Sequence, residues 1–238
     1  MRLVQVEKLC QLTFFPRLFP VNCYFVEEDD GLTLVDAAMP FSAQAIRLAA
    51  DKLGRPIKRI VLTHAHSDHI GALDALKGAL PDITVYVSRR EARLLAGDRT
   101  MDSDEAGTSL KGGIPRPGQV RTQPDVLLEE GDRIGSLIAF HAPGHTPGLM
   151  AFYDERNGNL LAGDAFQTRN GVAVSGQLRL LFPFPALATW NKQAALASAR
   201  KLAALKPSRL AIGHGNLLER PGAALQQAIA AAARNLSG

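Results

Sequence analysis

Cysteine is scarce in this chain, and the scarcity removes two classes of protein. Only Cys10 and Cys23 are present, too few for a disulfide framework, and no CxxC pair exists to bind metal or run thiol redox chemistry. Cys23 lies in the apolar run VNCYFV, where an inert buried thiol is expected. Aromatic residues make up only 6%, and no cluster of Lys and Arg with interleaved aromatics occurs, so no nucleic-acid partner is expected. No apolar run reaches the roughly 18–20 residues that span a bilayer. The opening MRLVQVEKLC lacks a basic segment followed by an apolar one. Neither a signal peptide nor a membrane partner is therefore expected, and the expected compartment is the cytoplasm.

What is present has ordinary globular proportions. Hydrophobic residues make up 46% and charged residues 21% of 238 positions, which sets disorder and fibrous repeats aside. The net charge of +4, from 27 basic and 23 acidic side chains, is spread along the chain and suits a neutral or weakly anionic small molecule. Length and the absence of internal repeats fit a single domain over residues 1–238.

Alternating apolar runs predict strands at Val21–Glu27, Leu32–Asp36, Arg59–Thr63 and Ile83–Val87. Helical spacing fits Ser42–Leu53, His69–Ala79 and Arg90–Ala96. The second half repeats the pattern, with strands at Leu137–Ala142, Leu149–Tyr153, Asn159–Ala162 and Arg209–Gly213 and a helix at Leu187–Leu205. The Ala-rich tail also favours helix. Strand pairs with covering helices, twice over, predict an α/β protein with two sheets. Two long loops, Asp98–Pro124 and Gln167–Pro185, are candidates for a binding role. Phe14, Phe15 and Phe19 are read either as core or as overhanging a site.

The chemistry concentrates in Thr63-His64-Ala65-His66-Ser67-Asp68-His69. A strand-like run leads into it and a helical one follows, so four potential ligands sit on one strand-to-helix turn. Imidazole nitrogen and carboxylate oxygen suit zinc and similar divalent ions. Burying three His and an Asp without a partner would cost several kcal/mol, roughly; a metal supplies the partner. Three further strand ends each carry one ligand-type residue: His145 in APGHTPG, Asp164 in LLAGDAF and His214 in LAIGHGN. Loops at one edge of a rigid scaffold form sites in this way. His141 is read as structural or solvated.

HxHxDH, then PGHTPG, GD and GHG, in this order over nearly the whole chain, resembles the metallo-β-lactamase-fold hydrolase superfamily. The resemblance implies a four-layer αβ/βα sandwich with the site at one edge. It assigns His64, His66 and His145 to one metal, Asp68, His69 and His214 to the other, and Asp164 to the bridge between them. It also assigns Asp36, in GLTLVDAA, to support of the metal-binding loop. The cofactor implied is two divalent ions, zinc first, with Mn2+ and Fe2+ as alternatives. The chemistry implied is hydrolysis by a hydroxide shared between the two metals, with Asp68 as the catalytic residue that orients it and carries a proton.

Within the superfamily, Asp164 at the bridging position resembles lactonases, thioesterases and phosphodiesterases more than true β-lactamases. With 24 residues after His214, no room is expected for the helical glutathione-binding domain of glyoxalase II. Lactonases of this branch place a Tyr after the bridging Asp, whereas here no Tyr follows Tyr153. The apolar run Leu178–Phe184 suits a small-molecule substrate with an apolar portion. A lactone or other carboxylic ester is the first expectation. Thioester or β-lactam hydrolysis is the alternative, as is an iron enzyme resembling the persulfide dioxygenases. A non-catalytic scaffold is disfavoured because all seven ligand positions are filled.

Overall fold

Val, Tyr and Phe crowd the run VNCYFVEE, and such residues pack well on a pleated surface. In the computed structural model it forms a strand that begins at the predicted residue and ends within one residue of the predicted end. The structure describes residues 1–103, 105 and 109–237; positions 104 and 106–108 of the predicted 98–124 loop lie outside the described residues. The chain forms two compact units, Met1–Asp98 with Ile114–Leu128, and Arg99–Gly113 with Glu129–Gly238.

The first unit is built on seven strands hydrogen-bonded in chain order: β1 (Arg2–Val6), β2 (Leu9–Phe14), β3 (Val21–Glu28), β4 (Gly31–Val35), β5 (Ile57–Val61), β6 (Thr84–Ser88) and β7 (Val126–Leu128). β1 to β4 pair antiparallel and β4 to β7 parallel, so the sheet is mixed. Parallel neighbours need crossovers, and helices supply them: α1 (Ala43–Leu53) between β4 and β5, then α2 (Ser67–Ile70) and α3 (Leu73–Ala79) before β6. α4 (Arg89–Leu95) follows β6. The carboxyl ends of β4, β5 and β6 lie side by side, the usual place for a ligand in such a sheet.

The strand and helix assignments of this unit depart in part from the sequence reading. β1 and β2 were not expected; β2 is buried throughout although Gln11 and Thr13 break its apolar pattern. The predicted helix His69–Ala79 is two helices. Gly71 lies so close to Pro40 that a Cβ would come within 2.5 Å of it, and its N–H donates to Ala38 O at 2.7 Å. Tertiary hydrogen bonds to the 37–38 turn therefore break the helical ladder there. Cys10 and Cys23 are both buried and free. Burial, with Glu27 nearby, pushes the Cys10 thiol up to about 11, and burial pushes Cys23 up as well. Both are inert thiols at neutral pH.

The 114–124 stretch is pinned by one carboxylate. Asp74 on α3 accepts from Arg121 N at 3.0 Å, Thr122 N at 2.8 Å and Thr122 Oγ1 at 2.6 Å. Burial alone would raise its pKa, but the Thr122 hydroxyl and the two N–H groups hold it below the ordinary 3.8. A depressed folded pKa contributes stability above the unfolded value that is lost as pH falls through the folded one. Asp74→Ala is expected to cost about 2 kcal/mol at pH 7. In urea denaturation the gap to wild type should shrink below about pH 4; a gap equal at pH 7 and pH 3 would refute the role.

The second unit is a six-stranded sheet in the order β15-β14-β11-β10-β9-β8, with a separate two-stranded ribbon, β12 with β13. The strands are β8 (Arg133–Ile134), β9 (Leu137–His141), β10 (Met150–Asp154), β11 (Asn159–Leu161), β12 (Phe166–Gln167), β13 (Ala173–Val174), β14 (Arg209–Ala211) and β15 (Leu218–Glu219). β11 and β14 are parallel and the other pairs antiparallel. Three helices accompany them: α5 (Phe184–Leu187), α6 (Lys192–Ala204) and α7 (Gly222–Ser237). In α7 the buried Leu225, Ala228, Ile229 and Ala232 follow the i, i+3, i+4, i+7 spacing of an amphipathic helix. They join Leu149, Leu160, Ile212, Ala199 and Leu202 in one core.

The predicted helix Leu187–Leu205 is also divided. Asn191 caps α6, accepting from Gln193 N at 2.9 Å and Ala194 N at 3.1 Å. The predicted 167–185 loop contains the last residue of β12, all of β13 and the start of α5. Among the described residues no helix is long and apolar enough to cross a membrane.

Candidate metal centre

In the first unit the site begins with a strained backbone. Asp36, just past β4, has φ 63°, a left-handed conformation that Asp tolerates better than most residues. This turn directs its carboxylate beneath the HxHxDH loop. Oδ1 accepts from Thr63 N at 2.8 Å, and Oδ2 accepts from Thr63 Oγ1 at 2.8 Å and lies 2.8 Å from His69 Nδ1. Because the Thr63 hydroxyl gives its proton to the carboxylate, its oxygen is left to accept from His64 Nδ1 at 2.9 Å. His64 and His69 thus carry their protons on Nδ1 and present lone pairs at Nε2, the form that ligates metal.

The rings converge. His64 lies 4.7 Å from His66 and 4.1 Å from His69, centroid to centroid. Donor atoms of His64 and His66, of His64 and His69, and of Asp68 and His69 approach within 4.8 Å. His69 Nε2 stands 4.0 Å from Asp68 Oδ2. With the proton on Nδ1, these are two acceptors facing one another, an arrangement that a cation between them makes favourable. All three histidines are buried, and Asp68 alone of the four reaches solvent. The loop is held from below by Glu91, fully buried on α4, whose carboxylate accepts from Ala65 N at 2.8 Å.

In the second unit, Gly144 lets the chain pass α6 where any side chain would collide with Ala195, and this close approach places His145. Asp164 follows β11 in a single 3₁₀ turn, Gly163–Ala165, and His214 follows β14. One carboxylate oxygen, Asp164 Oδ2, lies 3.4 Å from His145 Nε2 and 3.1 Å from His214 Nε2. All three residues are buried. The Phe182 ring packs 5.5 Å from that of His214.

Each unit therefore carries a buried cluster of imidazole and carboxylate donors. The nitrogen and oxygen donors and the fixed tautomers fit zinc, iron or manganese. The structure brings His64, His66, Asp68 and His69 together in one cluster, and His145, Asp164 and His214 in the other. His141 joins neither; its Nε2 pairs with Glu129 at 3.8 Å on the surface. Sequence reading missed Thr63, Glu91, Ser175 and Thr189. One signal was available for Glu91: Ser88-Arg89-Arg90-Glu91 has the spacing of a capping box, and Ser88 Oγ does accept from Glu91 N at 3.1 Å. Nothing in the spacing announced that its carboxylate also reaches Ala65.

Comparison with known proteins agrees with this chemistry. Residues 16–214 match the model of the metallo-β-lactamase superfamily. The chain is 53% identical over 229 residues to the Bacillus subtilis protein YobT, covering 96% of this chain and 97% of that one. It is 32% identical over 214 residues to the probable metallo-hydrolase YflN of the same organism, covering 82% and 80%. Among solved structures, TTHA1623 in a di-iron-bound form is 30% identical, with a TM-score of 0.65 and coverage of 89% and 95%. The ligand series, the two mixed sheets and these likenesses agree: the chain belongs to the metallo-β-lactamase superfamily of metallohydrolases and has its α/β fold.

Proposed function

We propose that His64, His66, Asp68, His69, His145, Asp164 and His214 act together as one dinuclear centre, in a single hydrolase domain over residues 1–238. The reaction proposed is hydrolysis of a carboxylic ester or lactone with an apolar portion. The observation that carries this reading is the position of Asp164 Oδ2 between His145 Nε2 and His214 Nε2. A carboxylate so placed suits a bridge between two cations. Two divalent ions held by these residues would supply a hydroxide near neutral pH and polarisation of the scissile carbonyl. Zinc is the metal proposed; the di-iron form of TTHA1623 makes iron the first alternative.

The protein's own contribution is position and proton handling. Asp36 and Thr63 fix the imidazoles of His69 and His64, and Glu91 fixes the loop that carries them. The partial solvent exposure of Asp68 supports a role in orienting the nucleophile and passing its proton to the leaving group. No Ser or Cys nucleophile is required.

The arm that runs from Leu178 to Leu187 supports an apolar portion in the substrate. Leu180 and Leu181 are 89% and 81% exposed, while Phe182 between them and Phe184 is 1% exposed and packs against His214. Exposed leucines next to a Phe that packs on the His214 ring suit a surface that receives an apolar group. Leu180→Asp with Leu181→Asp is expected to raise KM about tenfold, near 1.4 kcal/mol, with kcat little changed. An unchanged KM for long-chain and short-chain substrates alike would remove the arm from recognition.

The decisive experiment loads the protein with zinc, manganese or iron and offers lactones, esters, thioesters and β-lactams. Turnover of an ester or lactone that a chelator abolishes is expected. Preference for a thioester or β-lactam would replace the substrate class. One iron per chain with thiol-dependent oxygen uptake would overturn the hydrolase reading.

A further inference from the structure

We propose that Ser175 and Thr189 are positioning residues for His145, and that a hydroxyl chain ending on the Pro185 carbonyl sets the tautomer of that imidazole. Four atoms carry the argument. Thr189 Oγ1 donates its one proton to Pro185 O at 2.7 Å. Thr189 Oγ1 and Ser175 Oγ are 2.9 Å apart. His145 Nδ1 lies 3.0 Å from Ser175 Oγ and 3.3 Å from Thr189 Oγ1. All of these groups are buried.

Only one order of protons makes every contact within the hydroxyl chain attractive. With the Thr189 proton committed to Pro185, its oxygen can only accept. Ser175 then donates to Thr189, and its own oxygen accepts from His145 Nδ1–H, which also leans on Thr189. The opposite tautomer would have Ser175 donate to Nδ1. The Thr189 oxygen would then face two further acceptors, the Ser175 oxygen and Nδ1, with no proton between them. In a buried setting such opposed lone pairs are costly. The chain therefore holds the proton on Nδ1, where Ser175 Oγ is 3.0 Å away, rather than on Nε2, whose neighbour Asp164 Oδ2 at 3.4 Å lies beyond ordinary N–H···O reach. The Nε2 lone pair and that carboxylate are then two acceptors that a cation between them makes favourable.

This support differs in kind from that of His69, which leans on the carboxylate of Asp36. His145 leans on neutral hydroxyls whose direction is fixed by a backbone carbonyl in α5, inside the exposed arm. Neighbouring backbone bonds reinforce the link, with Trp190 N donating to His145 O at 3.0 Å and Asn191 N to Gly144 O at 2.9 Å. The split of the predicted 187–205 helix acquires a reason: Thr189 and Trp190 serve His145 instead of continuing a helix.

The proton order is a property of the metal-free chain, in which the hydroxyls at Nδ1 compete with the more distant Asp164 carboxylate at Nε2. Its consequence for metal binding rests on the dinuclear reading above, and two measurements separate them. Long-range proton–nitrogen correlation on the full-length, metal-free protein with 15N-labelled histidine should show His145 protonated on Nδ1. Ser175→Ala with Thr189→Val should give a mixture of tautomers, whereas Thr189→Ser, which keeps the hydroxyl, should match wild type. Zinc competition against a chromophoric chelator should show one of two equivalents bound about 10- to 100-fold more weakly in the double variant and at wild-type strength in Thr189→Ser. A wild-type His145 protonated on Nε2 would overturn the proposal, as would a folded double variant with unchanged tautomer and zinc affinity within about twofold. Should the double variant fail to fold, Ser175→Ala alone gives the same readings. The expected tautomer in a protein that binds no zinc supports the proton order and overturns the metal reading alone.

Discussion

His66→Ala protein is expected to hold about one metal where the wild type holds two, and to lose about 10³-fold or more in kcat/KM, near 4 kcal/mol of transition-state stabilisation. His66 acts in two ways, through its backbone and through its ring. Its extended backbone precedes α2, and its carbonyl accepts from His69 N at 2.8 Å and Ile70 N at 3.2 Å. Alanine keeps that carbonyl and the turn it closes. The neighbouring side chains remain tied by Asp36 and Thr63, so the fold is expected to survive. What disappears is one nitrogen donor beside His64. Metal content measured on desalted protein, with kinetics on the same sample, checks the assignment; near-normal turnover would contradict it.

Much of this centre is legible in the sequence because metal ligation leaves a dense mark. Three His and an Asp within six residues have few structural explanations, and the strand-like run before them fixes which end of the sheet they occupy. His145, Asp164 and His214 were legible because each stands just past an apolar run next to glycine. The supports were not legible to the same degree. By spacing alone Asp36 looks like any turn residue; the family resemblance implied its supporting task, and its left-handed backbone and its contacts with Thr63 and His69 show how it is done. Ser175 and Thr189 are common polar residues 14 positions apart, and their meeting on His145 depends on the fold of the intervening arm. The same limit explains the two divided helices. Periodicity counts residues along one element, whereas Gly71 yields to Pro40 and Thr189 yields to His145, partners that lie elsewhere in the chain. β2 differs: Cys10, Gln11, Leu12, Thr13 and Phe14 do alternate, but both faces are buried, so the polar Gln11 and Thr13 gave no hint of burial on the second face.

Asp68→Asn tests the proton rather than the metal. The side chain is 23% exposed, against near-complete burial for the imidazoles around it, so it can exchange protons with water while its Oδ2 stays 4.0 Å from His69 Nε2. Asn keeps the shape and one acceptor oxygen but cannot take up a proton, and it loses the charge that favours a cation nearby. The two losses are distinguishable. With metal held saturating, weaker ligation is compensated by mass action, and the remaining defect belongs to proton transfer. Under those conditions kcat is expected to fall about 10²- to 10³-fold, with KM within about threefold, because the interaction lost is made chiefly in the transition state. The pH profile should change with it, since the group that accepts and returns the proton no longer titrates. A substrate whose leaving group needs no proton should suffer less. Saturating metal that restores full kcat would make Asp68 a ligand and nothing more, and an effect on KM alone would place it in substrate binding.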